Sequence, residues 1–242
     1  MDYPADIRSL LRHLGTRKFA VQGGSGGAPY ALACAHSMPD RLLGIRVFAG
    51  AGPWAAGRQY VSTLRKIVSF AAAHSPSILK AVLDTYIINA RWALNTKIGT
   101  RYIDRWLESQ ESPERAGLST EKRREMLMQM IFEAFAQGGG AMVEEAVLLT
   151  HDWGFRLEDI TYNKVRLWYG EEDTHSLIEM IQYMVERIPH CELTAYEGEI
   201  NHFAVGAHAE GIIAELVPDS LIRRHMAAIF VSKALLSLND LY

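Results

Sequence analysis

The segment Gly23-Gly24-Ser25-Gly26-Gly27 constrains this chain more than any other stretch. It follows the apolar run 19–21 and precedes the small-residue stretch 28–35, so it lies where a strand gives way to a helix. The spacing is G-x-S-x-G, with Gly23 and Gly27 flanking Ser25. A serine on so sharp a turn takes a strained backbone that lifts its hydroxyl out of the fold, and residues without bulk let strand and helix approach. A glycine-rich turn after a strand can also cradle phosphate. Here no Lys-Ser or Lys-Thr follows and the spacing is not G-x-G-x-x-G, which argues against a nucleotide site. A turn without chemistry is the remaining alternative, and the rest of the chain has to separate the two.

Around this turn the periodicity reads as strand and helix in alternation. Pro4 opens a helix whose Ile7, Leu10, Leu11 and Leu14 form one apolar stripe, ended by Gly15. The strand at 19–22 leads to Ser25. A helix over 26–37 follows, with Gly27, Ala31 and Ala35 as a small face for packing on a sheet, and the apolar run 43–49 has the profile of a buried parallel strand. Strand, helix and strand within so short a span make a βαβ unit, which puts Ser25 at the carboxyl end of a parallel strand, where open α/β sheets hold their ligands. Helices are expected over 60–73, 77–95, 99–109, 120–137 and 141–151, with Gly138-Gly139-Gly140 as a break between two of them. The alternating charges of 121–125 read as a solvated helix face. A strand at 165–169, a helix over 176–188, a strand at 192–196 and a helix over 207–216 complete the pattern. This predicts an α/β core over 1–53 and 151–216, a helical insertion over 54–150 and an added tail over 217–242. The amphipathic tail is expected to dock on its own domain.

Composition excludes several classes. With 242 residues, 49% hydrophobic and 22% charged, the chain can bury a substantial core and is not disordered. A formal charge of −3 leaves no basic footprint for nucleic acid. Cys34 and Cys191 are too few for a disulfide scaffold or a zinc cluster, so neither a metal nor another cofactor is expected and neither thiol is assigned to catalysis. No apolar run reaches the roughly 20 residues of a membrane span, and Asp2, Asp6 and Arg8 stand where a signal peptide would be apolar. The expected location is cytoplasmic.

Three strand ends supply one chemical set. A serine hydroxyl needs a base for its proton, histidine suits because its ordinary pKa is about 6.5, and a carboxylate then fixes the imidazole's tautomer. Ser25 follows the first strand, Asp173 the third and His202 the fourth. Glu171 and Glu172 compete with Asp173 as turn carboxylates, and His175 stands near enough to be a pocket residue or a surface one. Six of the nine histidines, at 36, 74, 151, 190, 208 and 225, are read as structural.

With these residues in place the chain resembles the α/β-hydrolases of the broad lipase, esterase and peptidase-like superfamily. The resemblance rests on Gly23-Gly24-Ser25-Gly26-Gly27, on Leu167-Trp168-Tyr169-Gly170-Glu171-Glu172-Asp173 and on Gly198-Glu199-Ile200-Asn201-His202-Phe203, and covers about residues 3–216. Asp152-Trp153-Gly154-Phe155 is also similar to a segment common where the cap rejoins the sheet. The resemblance implies a mostly parallel sheet with an inserted helical cap, a Ser25, His202 and Asp173 triad, and the Gly26 N–H as an oxyanion donor. It implies a carbonyl substrate: an ester, an amide-like small molecule or a carbon-carbon bond beside a carbonyl. Aspartate at position 25 would be needed for a dehalogenase or epoxide hydrolase.

In that superfamily four strands precede the nucleophile strand, and the loop after the third supplies a second oxyanion donor. The expectation here is an N-terminally truncated sheet whose first strand is a bare edge, open to self-association there or through the tail. Loss of one oxyanion donor costs roughly 100-fold or more, so an impaired or inactive hydrolase-like binding protein, or a fragment, is the alternative to an active enzyme. Glu199-Ile200-Asn201 before His202 is one residue longer than the usual Gly-x-Gly-His spacing.

Overall fold

The computed structural model describes residues 2–109, 119–171, 173, 175–196 and 211. The described residues divide into two compact units, one comprising those up to Gly57 and from Asp152 onward, the other Arg58–His151. The expected helix over 207–216 and the tail over 217–242 lie outside the described residues, apart from Gly211.

The first unit is built on β1 (Phe19–Gly24), β2 (Leu42–Phe48), β3 (Val165–Gly170) and β4 (Cys191–Tyr196), all parallel and ordered β1-β2-β3-β4. Chain order and spatial order coincide, so right-handed crossovers bring the helices between strands onto one face. These are α2 (Ala28–Ser37), which joins β1 to β2, and α9 (Ile178–Arg187), which joins β3 to β4. Ala31 and Ala35 of α2, Ile45 and Val47 of β2, Val165, Leu167 and Tyr169 of β3, and Ile181 and Met184 of α9 form one buried cluster. Alternation along the strands sends Phe48, Trp168 and Tyr196 to the other face, where they pack with Ala49. Arg46 shares that face; it is buried, with its guanidinium 5.6 Å from the Trp168 ring centre.

Helix α1 (Tyr3–His13) ends before Gly15, whose φ of +63° is the left-handed conformation that favours glycine. Of its apolar stripe only Leu11 is buried, while Leu10 and Leu14 face solvent. The short helix α3 (Trp54–Gly57), expected as the beginning of the insertion, instead packs in the sheet unit, where Gly57 meets Met180 of α9. Helix α9 begins at Ile178 rather than at 176, because the Ser176 N–H is bonded to the Asp173 carboxylate and Leu177 is extended.

The second unit contains α4 (Thr63–His74), α5 (Pro76–Leu94), α6 (Lys97–Ser109), α7 (Thr120–Ala134) and α8 (Gly140–Thr150). Helix α4 starts later than its apolar pattern because Ser62 caps it, Oγ accepting from the Arg65 N–H. Ser119 caps α7 in the same way through the Lys122 N–H. The charged run of α7 is only half solvated. Arg124 reaches both oxygens of Asp104 on α6, at 2.6 and 2.8 Å, and Arg123 donates to the Leu107 carbonyl. The glycine break is a fixed turn: Gly138 has φ +85°, and the Gly139 N–H donates to Asp84 Oδ1 at 2.6 Å. No described helix is long and apolar enough to cross a membrane.

Candidate active site

Ser25 occupies the turn between β1 and α2 with φ +49°, a left-handed conformation that costs a residue with a Cβ on the order of 1–2 kcal/mol. It is exposed, whereas Gly23 just before it is buried. The two flanking glycines are not equivalent. A Cβ on Gly23 would fall 2.5 Å from the Gly27 carbonyl oxygen and 2.9 Å from the Ala31 Cβ, but one on Gly27 would meet nothing within 4 Å. Of the two, Gly23 alone sits where bulk would clash. Close approach continues at Gly24, which lies against the Phe48 ring. Gly26 sits in the 3₁₀ turn Ser25–Gly27, half-buried.

Asp173 lies in the turn that leaves β3, closed by its own N–H bonding to the Gly170 carbonyl at 3.0 Å. The carboxylate is 4% exposed. Its Oδ1 accepts two backbone N–H groups, from His175 at 2.7 Å and Ser176 at 2.9 Å. Buried charge is tolerated only with such hydrogen bonding, and here the backbone itself supplies it. Of the competing carboxylates Glu171 is exposed, its N–H donating to the Tyr196 carbonyl at the end of β4, and Glu172 lies outside the described residues. His175 is exposed as well.

Both residues stand at the carboxyl edge of the sheet. Gly24 pairs with Phe48 and Phe48 with Trp168, so the last residue of β1 is level with Trp168, two strand spacings or roughly 10 Å away, and β3 runs two residues further to Gly170. Between them runs the loop after β2. The Ala51 N–H donates to the Ser25 carbonyl at 2.8 Å, and the Ala49 carbonyl accepts the Ser176 hydroxyl at 2.6 Å. Gly50 is held against Val47 and Ala28, where a Cβ would fall 2.4 Å and 2.8 Å from their side chains. Sequence reasoning missed Ser176: its partner is 127 residues away, and the only local signal is a serine three residues after an aspartate. His202, with the segment 197–210 that carries it, lies outside the described residues.

Several other nucleophiles and bases among the described residues have structural roles. Burial pushes the Cys34 thiol up to about 11 and that of Cys191 up to about 12, which keeps both protonated and unreactive. His36 stacks on Phe155 with ring centres 5.1 Å apart, and His74 and His151 bond to carbonyls of their own helices. Among the described residues no three His, Cys, Asp or Glu side chains gather as a metal site would require.

This architecture recurs in solved structures. The chain is similar to an alpha/beta hydrolase enzyme from a Medee basin deep-sea metagenome library, at 18% identity and a TM-score of 0.53, covering 88% of this chain and 68% of that one. It is similar to a hydrolase from Pseudomonas aeruginosa PA01, at 18% identity and a TM-score of 0.51 over 88% of this chain and 69% of that one. An esterase from Exiguobacterium antarcticum matches at 15% identity and a TM-score of 0.55, over 89% and 75% of the two chains. The chain has the α/β-hydrolase fold. No protein-family model matches it, and no curated protein does.

Proposed function

We propose that the protein is a serine hydrolase acting on an ester, an amide-like or another carbonyl-containing small molecule. One observation carries this reading: an exposed Ser25 at φ +49° and a buried Asp173 pinned by backbone N–H groups stand two strands apart on one edge of a parallel sheet. In this reading Ser25 Oγ attacks the substrate carbonyl while His202 takes its proton, and Asp173 holds the imidazole and stabilises its charged form. The Gly26 N–H stabilises the oxyanion. Collapse of the tetrahedral intermediate expels the leaving group, which takes the proton from His202. Water, deprotonated by His202, then cleaves the acyl-enzyme to release the acid and restore Ser25. The resemblance assigns substrate selection to the helical insertion, which here is the unit Arg58–His151. The names of the similar structures, two hydrolases and an esterase, support a hydrolytic reaction.

Labelling of the purified chain by a fluorophosphonate, with circular dichroism to establish folding, tests the reading. Covalent labelling lost in Ser25→Ala and in His202→Ala is the expected result. A folded chain that takes up no probe would overturn it in favour of a binding protein without catalysis.

A further inference from the structure

We infer that Ser176 is a positioning residue, whose hydroxyl ties the carboxylate turn to the loop beneath the nucleophile so that Asp173 and Ser25 are held as one rigid edge. The inference rests on the hydrolase reading above and adds a residue to it. Ser176 is 3% exposed, buried at a position where its polar group must find a partner. Its two hydrogen-bonding groups are divided between two elements: the N–H goes to Asp173 Oδ1 at 2.9 Å, and the hydroxyl goes to the Ala49 carbonyl at 2.6 Å.

Ala49 explains why that second bond matters. It has φ +43°, an unusual conformation for alanine that persists only where the surroundings impose it. Its N–H is held by the Trp168 carbonyl at 2.9 Å and its carbonyl by Ser176, so the left-handed residue is fixed on both sides. Two residues further on, the Ala51 N–H fixes the Ser25 carbonyl. A continuous line of hydrogen bonds and three residues of backbone therefore runs from the acid, through Ser176, Ala49 and Ala51, to the nucleophile. Ser176 supplies the one side-chain hydroxyl in that line. Without it the backbone N–H bonds to Asp173 remain possible, but the turn that carries them loses its anchor on the loop after β2.

The consequence is electrostatic as well as geometric. A carboxylate that drifts from the imidazole stabilises the protonated ring less, so the pH at which the base becomes neutral falls. The rate of fluorophosphonate inactivation should be measured from pH 5 to 9 on the full chain and on Ser176→Ala, Ser176→Cys and Ser176→Thr, with circular dichroism on each. For Ser176→Ala the expected result is a plateau rate roughly 10-fold to 100-fold lower and an acid limb moved to lower pH. Ser176→Thr, which keeps the hydroxyl, should recover most of the rate and the original limb. Ser176→Cys offers only a weak donor and should fall between them; it carries the same comparison if the alanine variant does not fold. A folded Ser176→Ala or Ser176→Cys with the parent rate and pH profile would overturn the inference and leave the hydrolase reading intact. So would a loss of rate with no movement of the acid limb, since that is what a merely structural role produces. An unlabelled parent chain would overturn both.

Discussion

Gly23 lies so close to Gly27 that a Cβ on Gly23 would fall 2.5 Å from the Gly27 carbonyl oxygen. The obstacle is backbone at the start of α2 and cannot rotate away, so Gly23→Ala must push the helix off the strand. A cost of about 1–3 kcal/mol is expected, as for other overpacked sites. At Gly27 the situation is opposite: φ is −75° and ψ −12°, which alanine adopts without strain, and the surrounding space is open. Gly27→Ala should leave stability unchanged or raise it by about 0.4–1 kcal/mol through the unfolded chain. Urea midpoints of the two variants check this, and equal losses would refute the asymmetry.

The turn before α8 should loosen in acid. Asp84 is held below the usual carboxylate range, first by its hydrogen bond from Lys80 and then by the Gly139 N–H. A carboxylate depressed in the folded state contributes stability above its unfolded pKa of about 3.9, and that contribution is lost as pH falls through the lower folded value. Hydrogen exchange of the Gly139 amide should therefore accelerate, relative to its intrinsic rate, as pH drops below about 4. Asp84→Asn should remove most of that pH dependence. A turn equally protected at all pH values would contradict the assignment.

Both cysteines should be silent in the folded protein. With burial holding Cys34 near about 11, only about one part in a thousand is thiolate at pH 8, against roughly a quarter for an ordinary thiol. Ellman's reagent should therefore react at least about 100-fold more slowly in buffer than in urea, even before access to Cys34 inside α2 is considered. Cys191, pushed up to about 12, should behave alike. Rapid reaction of either thiol in buffer would show that its strand or helix opens.

What could be read from the chain beforehand follows from how local each signal is. The turn at Ser25 was legible because its glycines, its apolar run and its small-residue helix are contiguous. Strands β2 and β3 were legible because parallel strands buried on both faces leave nearly continuous apolar runs, whereas β4 is mostly exposed and carries Glu192 and Thr194. The placement of Asp173 followed from its position after such a run, but its support did not, since Ser176 bonds to Ala49 across 127 residues. Two local patterns misled. The charged run of α7 suggested a solvated face, whereas Arg124 is turned inward by Asp104 on a different helix. The helical stretch after Pro53 suggested one insertion, whereas Trp54–Gly57 is drawn into the sheet unit by α9, a helix that follows it by more than a hundred residues.

That last contact has a testable asymmetry, because Gly52 and Gly57 both press on Met180 but on different parts of it. A Cβ at Gly57 would fall 2.6 Å from Cγ and 2.9 Å from Cε, atoms of a flexible side chain. One at Gly52 would fall 2.5 Å from Cβ and 2.9 Å from the carbonyl oxygen, which any residue at 180 would keep. Met180→Ala alone should cost about 2–5 kcal/mol, since the side chain is 6% exposed and its loss leaves a cavity. In that background Gly57→Ala should cost much less than in the parent, because the added methyl enters the space that Met180 vacates. Gly52→Ala should cost about as much as before. A double-mutant cycle from urea unfolding should give a coupling of about 1 kcal/mol or more for the Gly57 pair and near zero for the Gly52 pair. Equal couplings would mean that α3 does not rest on the Met180 side chain, and the close approach of α3 to α9 would need another cause.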